Sequence, residues 1–322
     1  VMAPGSPGSP GIRVGTRGST LALTQTTTVA ERVSGLAELP YALVRVRTEG
    51  DVLKGSLSQI GGTGVFVAAL RDALLEERCD IAVHSLKDLP TLPAPGLTVA
   101  SVPEREDVRD ALCARDGLTL ATLPDGARVG TGSPRRAAQL RAARPGLEVV
   151  DIRGNVDTRL GRVAGLVMGA PGDLDAVVLA AAGLRRLGRE DAITELIDTD
   201  VMLPAPGQGA LAVECRESEA MPHVREALAA YDHLPTRLAV TAERAVLLQL
   251  EAGCSAPIGA LARIEGEDLA LEAVVCSLDG RSILRRTRSA RATDAVAAAR
   301  LGLELAEELL ASGAADIAPL NS

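Results

Sequence analysis

The chain has 322 residues, enough for two or three domains with real cores, and 47% of them are hydrophobic, so it is a folded globular protein and not a disordered one. A formal net charge of −8, with no Trp, one Phe and two Tyr, opposes a protein that coats phosphate backbones or stacks on single-stranded bases, so no nucleic-acid partner is expected. Five cysteines (79, 113, 215, 254 and 276) form no C-x-x-C pair, three histidines (84, 223 and 233) form no H-E-x-x-H, and no apolar run reaches membrane-spanning length; a reducing compartment, no metal site and no membrane partner are expected.

In chain order, "VMAPGSPGSPG" (1–11) lacks the charged and apolar regions of a signal peptide and reads as a disordered leader, which makes a cytoplasmic location the default. Strand patterns follow at 12–16, 42–48, 80–85, 97–102, 127–131, 147–152, 175–180 and 210–215. Amphipathic stretches such as 20–33 and 64–77 lie between several of them. This alternation predicts an α/β architecture built around largely parallel strands. "SVPERED" (101–107) and "LPAPGQGA" (203–210) read as joints. After residue 222 the pattern changes to a helical run (236–251), strand-like segments (269–278 and 281–289) and a closing helix (292–311), an α+β module of about 100 residues.

Ligands of open α/β sheets gather beyond the carboxyl ends of the strands. Basic residues follow five predicted strands: Arg17 beside Ser19, Lys87 beside Asp88, Arg135 with Arg136, Arg153 with Arg159, and Arg185 with Arg186. Ser19 and Ser133 suit helix N-caps and Pro134 a first helical position, so helix N-termini add positive potential. A single arginine at a strand tip is ordinarily a solvated surface residue. Five basic tips in an acidic protein predict a ligand with several negative charges, carboxylates or phosphates, since the guanidinium fork matches both. No P-loop is present, and no G-x-G-x-x-G opens a helix after a strand. Asp88 stands out as a carboxylate among bases, whose positive charge is expected to keep it ionised. It reads either as a structural ion pair or as a group that faces a developing cation. Cys254 lies in a turn, "LEAGCSAPIG", and not in the apolar run usual for a buried free cysteine.

The segments "VGTRGSTLAL", "DIAVHSLKDLP", "VGTGSPRRAAQL", "RGNVDTRL", "AAGLRRLG", "LPAPGQGALAVECR" and "LEAGCSAPIGA" occur in that order. Together they resemble the porphobilinogen deaminase (hydroxymethylbilane synthase) family, from about residue 12 to near the C-terminus. The resemblance implies two periplasmic-binding-protein-like α/β domains, 12–103 with 204–222 and 104–203, plus a smaller α+β C-terminal domain, 223–322. It implies a monomeric enzyme of tetrapyrrole biosynthesis that joins four molecules of porphobilinogen head to tail, releasing ammonia, on a dipyrromethane cofactor held by a thioether to Cys254. Asp88 matches the catalytic aspartate. Lys87, Thr131, Ser133, Arg135 and Arg136 match cofactor-binding positions, and Arg17, Ser19, Arg153, Arg159 and Arg186 substrate-binding ones. Arg185 is the lesser member of its pair.

Three positions depart from the family pattern. Thr63 replaces the basic residue of a "GGKG" turn, Gln59 replaces a basic residue four positions earlier, and Gly132 replaces a hydroxyl residue in "TGSPRR". Two other readings compete. A non-catalytic anion-binding protein of the same fold needs neither Asp88 among bases nor a cysteine in a third domain. A cysteine-nucleophile hydrolase needs a histidine base, for which His84 is the one candidate within a motif, and a histidine ending a strand is ordinarily a structural donor.

Overall fold

The computed structural model describes residues 11–46, 64–217, 221–251, 256–318 and 320, with backbone only at 64–66. Cys254, Gln59, Thr63 and nearly all of the 1–11 leader lie outside the described residues. The chain divides into two units. The first comprises the residues up to Arg105 together with Ala210–Arg237, and the second comprises Glu106–Gly209 and the residues from Leu238 onwards.

The first stretch runs β1 (Ile12–Thr16), α1 (Thr20–Ala37), β2 (Tyr41–Arg45), α2 (Gly64–Leu75), β3 (Ile81–Ser85) and β4 (Leu97–Ser101). The second runs β5 (Asp110–Ala114), β6 (Arg128–Gly130), α3 (Pro134–Ala143), β7 (Glu148–Val150), α4 (Val156–Leu160), β8 (Ala176–Ala180), α5 (Ala181–Arg186) and β9 (Glu195–Ile197). The chain continues with β10 (Leu211–Arg216), α6 (Pro222–Tyr231), α7 (Leu234–Gln249), β11 (Ile258–Glu265), β12 (Asp268–Cys276), β13 (Ile283–Ala290), α8 (Ala295–Ala311) and α9 (Ala314–Ile317).

In the first unit the sheet order is β2-β1-β3-β10-β4, parallel except for β10. Side-chain alternation sorts its two faces. Ile81 and Val83 of β3, with Leu211, Val213 and Cys215 of β10, pack on one side against Val29, Ala30 and Val33 of α1 and Val224 and Leu228 of α6. Ala82 turns to the opposite side, against Leu70, Ala73 and Leu74 of α2. Each fully buried Val or Leu on these helices contributes about 1.5–3 kcal/mol, which makes this burial, more than helix propensity, the anchor of α1 and α2.

The second unit repeats the plan. Its sheet order is β7-β6-β8-β5-β9, and β5 is antiparallel to both β8 and β9. In each five-stranded sheet, therefore, one antiparallel strand lies between the third and last of four parallel ones. Leu112, Ala114, Val129 and Val178 face Leu140 of α3, whereas Ala111, Cys113, Val177 and Leu179 face Leu160 and Leu184. The same unit contains the antiparallel sheet β11-β12-β13. Leu269, Leu271, Ala273 and Val275 of β12 pack under Leu301, Leu305 and Leu309 of α8. Val274 and Cys276 turn the other way, towards Ala138 and Leu203.

Three strands escape the sequence patterns: β5, β9 and β11. β5 ("DALCA") is buried on both faces and shows no polar alternation, and β9 is three residues long. Helices α1 and α3 start as expected. Ser19 Oγ accepts from Ala22 N–H at 3.3 Å, Ser133 Oγ accepts from Arg136 N–H at 3.5 Å, and Pro134 occupies the first turn of α3.

Candidate functional site

In the first unit, the carboxyl end of β1 leads through Arg17 to the Ser19 cap. Beneath this turn, buried Thr16 donates to Ala22 O at 3.3 Å and accepts from Thr26 at 2.8 Å, which fixes the approach of α1. β3 ends in a single 3-10 turn, Leu86–Asp88. Its base is held by Leu86 N–H donating to Ala210 O at 3.0 Å and by the buried side chains of Leu86 and Leu89. Lys87 and Asp88 are half-buried on this turn, and among the described residues no ion pair or hydrogen bond engages the Asp88 carboxylate.

The opposite face of β3 carries a polar cluster that the sequence does not announce. His84 Nε2 lies 3.0 Å from Glu214 Oε2, and Arg71 Nη2 donates to Glu214 Oε1 at 2.8 Å. Burial raises the Glu214 carboxyl, but His84 and Arg71 outweigh it and hold the group below its ordinary value. This gives His84 a structural partner, and it braces the strand that ends in Lys87 and Asp88.

In the second unit, three strand tips carry the basic residues. Thr131 N–H donates to Val150 O at 3.0 Å, extending the β6–β7 pairing into the cap loop. A Cβ on Gly132 would lie 2.5 Å from Ile152 O, so glycine lets this loop rest against the end of β7. Arg135 and Arg136, 3% and 6% exposed, converge on Asp110, which is fully buried at the start of β5. Arg135 Nη2 donates to Asp110 Oδ2 at 2.8 Å and Nη1 to Leu203 O at 2.6 Å, while the buried Nε has no hydrogen-bond partner. Arg136 Nε donates to Asp110 Oδ1 at 2.9 Å and Nη1 to Val178 O at 3.2 Å. Burial opposes ionisation of Asp110, yet the two guanidiniums prevail and bring its pKa to about 2.

Arg159 is half-buried, with Nε donating to Gly154 O at 2.8 Å. Its pKa is lowered by burial first, then by repulsion from Arg136 and from Arg153, against which Asp151 acts. Arg136 and Arg153 thus both lie near enough to Arg159 to act on its charge. Arg186 Nη2 donates to Gly209 O at 2.7 Å, whereas Arg185 is committed to Glu106 at 2.9 Å and Asp107 at 3.2 Å. Sequence reasoning missed Asp110 and Gln208. The signal for Asp110 was an acidic residue opening the short apolar run "DALCA"; Gln208 is hidden inside a segment that reads as a joint.

Mutually repelling, partly desolvated guanidiniums and an unpartnered buried Arg135 Nε–H fit a polyanion better than they fit one another. Among the described residues no group of three His, Cys, Asp or Glu side chains could hold a metal. Two five-stranded sheets of identical strand order, each with basic tips, define an α/β protein of the periplasmic-binding-protein-like class. Residues 12–223 match the family model "Porphobilinogen deaminase, dipyromethane cofactor binding domain", and residues 237–311 match that of the porphobilinogen deaminase C-terminal domain. The chain belongs to the porphobilinogen deaminase family. Among its relatives is the porphobilinogen deaminase of Leifsonia xyli subsp. xyli, 57% identical over 319 residues, covering 96% of this chain and 95% of that one. That of Thermobifida fusca is 55% identical over 310 residues, covering 95% of each. Among solved structures, the periplasmic aliphatic sulphonate binding protein SsuA from Escherichia coli is 14% identical with a TM-score of 0.35, covering 75% of this chain and 70% of that one.

Proposed function

We propose that Asp88 and the basic strand tips carry out the reaction of this family as follows. The enzyme is a transferase that polymerises porphobilinogen in tetrapyrrole biosynthesis, with a dipyrromethane cofactor. Four substrate molecules are joined head to tail with loss of ammonia, and the linear product, hydroxymethylbilane, leaves by hydrolysis. Each pyrrole carries an acetate and a propionate, so cofactor and growing chain are polycarboxylates. The dipyrromethane, when bound, supplies the pyrrole carbon to which the first substrate unit is joined.

Arg136, with Arg135 behind it, Lys87, Thr131 and Ser133 hold cofactor carboxylates; Arg17, Ser19, Arg153, Arg159 and Arg186 hold those of substrate and product chain. Loss of ammonia from porphobilinogen leaves an azafulvene-type cation. The uncommitted Asp88 carboxylate stabilises that charge and the adjacent pyrrole N–H, and it relays the proton given to the departing amine and later taken from the coupled ring. Cys254 is the fixed thioether anchor. The observation that carries this reading is the convergence of two buried guanidiniums, Arg135 and Arg136, on the single buried carboxylate of Asp110 at the strand tips.

The enzyme is placed in the cytoplasm as a monomer. Cys79, Cys113, Cys215 and Cys276 are all unpaired and buried, in keeping with a reducing compartment, and no helix among the described residues is long and apolar enough to cross a membrane. The test is the intact mass of the denatured protein, isolated from cells that make porphobilinogen. A mass above the bare chain by two substrate-derived units, abolished by Cys254→Ser, is expected. A bare-chain mass in an enzyme that still releases ammonia and forms hydroxymethylbilane would refute the anchor.

A further inference from the structure

We propose that Asp110 is a positioning residue for this reaction: a buried carboxylate that sets the guanidinium planes of Arg135 and Arg136 and so presents Arg136 to a carboxylate of the cofactor. The proposal rests on the reading of Arg136 as a cofactor ligand.

Alternation along β5 puts Asp110 on the same face as Leu112 and Ala114, the face towards α3. The first turn of α3 carries both arginines, so the strand start and the helix start meet at this carboxylate. The two oxygens divide the work. Oδ2 accepts from Arg135, while Oδ1 accepts from Arg136 Nε and from Gln208 Nε2 at 2.9 Å, with Arg136 Nη2 2.8 Å away in the ion pair. Gln208 also donates to Val108 O at 2.8 Å, so the carboxylate ties the arginines to the segments entering and leaving this unit.

The charge balance argues against a purely structural salt bridge. One carboxylate faces two guanidiniums, and all three are buried. A buried ionic cluster serving only the fold approaches neutrality, because uncompensated charge out of water is expensive. Among the described residues one positive charge is left over in this cluster, and Arg159 lies near enough to Arg136 for the two to repel. Each terminal nitrogen of a guanidinium carries two hydrogens. Arg136 uses one at Nη1 for Val178 O, and its Nη2 stands beside Asp110 in the ion pair, so each nitrogen keeps at least one hydrogen for an incoming carboxylate. Fixing such donors before the ligand arrives removes the cost of orienting them later.

The test uses the full-length protein with Asp110→Asn, Asp110→Glu, Arg136→Lys, Arg136→Ala and the double variant Asp110→Asn/Arg136→Lys. The readout is covalent loading, the fraction of molecules with the adduct mass, as purified and after the cofactor-free form is titrated with porphobilinogen. Asp110→Asn is expected to fold, with a lower melting temperature, and to need about 10–100-fold more porphobilinogen for half-loading, the loss typical when the group orienting a ligating side chain is removed. The double variant should load no worse than the poorer single one, since Asp110 acts through Arg136. Asp110→Glu keeps the charge but displaces it by one methylene, and it should load poorly while folding normally. Wild-type loading of Asp110→Asn or of Asp110→Glu, or multiplicative losses in the double variant, would overturn the proposal. Failure of both Asp110 variants to fold, seen by circular dichroism, would also overturn it, by assigning Asp110 to the fold alone. Full loading of Arg136→Lys and Arg136→Ala would instead refute the reading of Arg136 as a ligand.

Discussion

Replacing Gly209 by alanine probes the point where the two segments bounding the second sheet's domain pass each other. Gly209 has φ +87°, and a Cβ there would lie 2.5 Å from Glu106 O and 3.1 Å from Asp107 O. Both are backbone atoms that cannot step aside as a flexible side chain does. The passage is held by Glu106 N–H donating to Gly209 O at 3.3 Å and by Arg186 Nη2 on the same oxygen at 2.7 Å. A left-handed conformation at a non-glycine residue costs about 1–2 kcal/mol. Overpacking adds about 1–3 kcal/mol. The total of about 2–5 kcal/mol corresponds to a fall in melting temperature of roughly 6–15 °C at about 3 °C per kcal/mol. Gly117 is the control: its φ is +69°, but nothing lies within 4 Å of a Cβ there, so Gly117→Ala should show only the conformational part, roughly 3–6 °C. Thermal unfolding followed by circular dichroism on both variants separates the contributions. Equal shifts would refute the close passage as a source of strain and leave only the dihedral cost.

Asp88→Asn should retain the covalent adduct and lower kcat by about 10²–10⁴-fold, since charge and proton transfer are removed with little change of shape; near-normal ammonia release would sink its assigned role. Arg153→Ala should raise the KM for porphobilinogen and slow elongation, and unchanged single-turnover elongation would place Arg153 outside the site. Asp110 is depressed from the ordinary 3.8 to about 2, so its ion pairs stabilise the fold above about pH 4 and that stability is lost as pH falls towards about 2. A displacement of this size is worth about 2 kcal/mol. Asp110→Asn should therefore flatten the acid limb of a stability-against-pH curve between those values, and a limb as steep as wild type would show that other carboxylates dominate it.

The sequence alone determined a good deal. Eight strands in the two large sheets lie close to their apolar runs, because burial of an alternating or continuous apolar segment is a local property that pattern reveals. Ser19, Ser133 and Pro134 announced two helix starts for a similarly local reason, the need to satisfy the first amide N–H groups. The seven ordered motifs were enough to indicate the family. Tertiary structure decided what depends on residues far apart in the chain. β5 is a strand because β8 and β9 pair with it on either side, and five residues without alternation carry no such instruction. Arg135 and Arg136 look like twins in sequence. Only the fold shows Arg135 bound to Leu203 O and Asp110 with an unpartnered Nε, and Arg136 sharing the same carboxylate from the other oxygen. Likewise Arg185 reaches Glu106, whereas Arg186 grips the Gly209 carbonyl. Coulomb energies and hydrogen bonds are set by distance in space, so the division of labour among these arginines is written in the packing of α3 and α5 and not in their spacing along the chain.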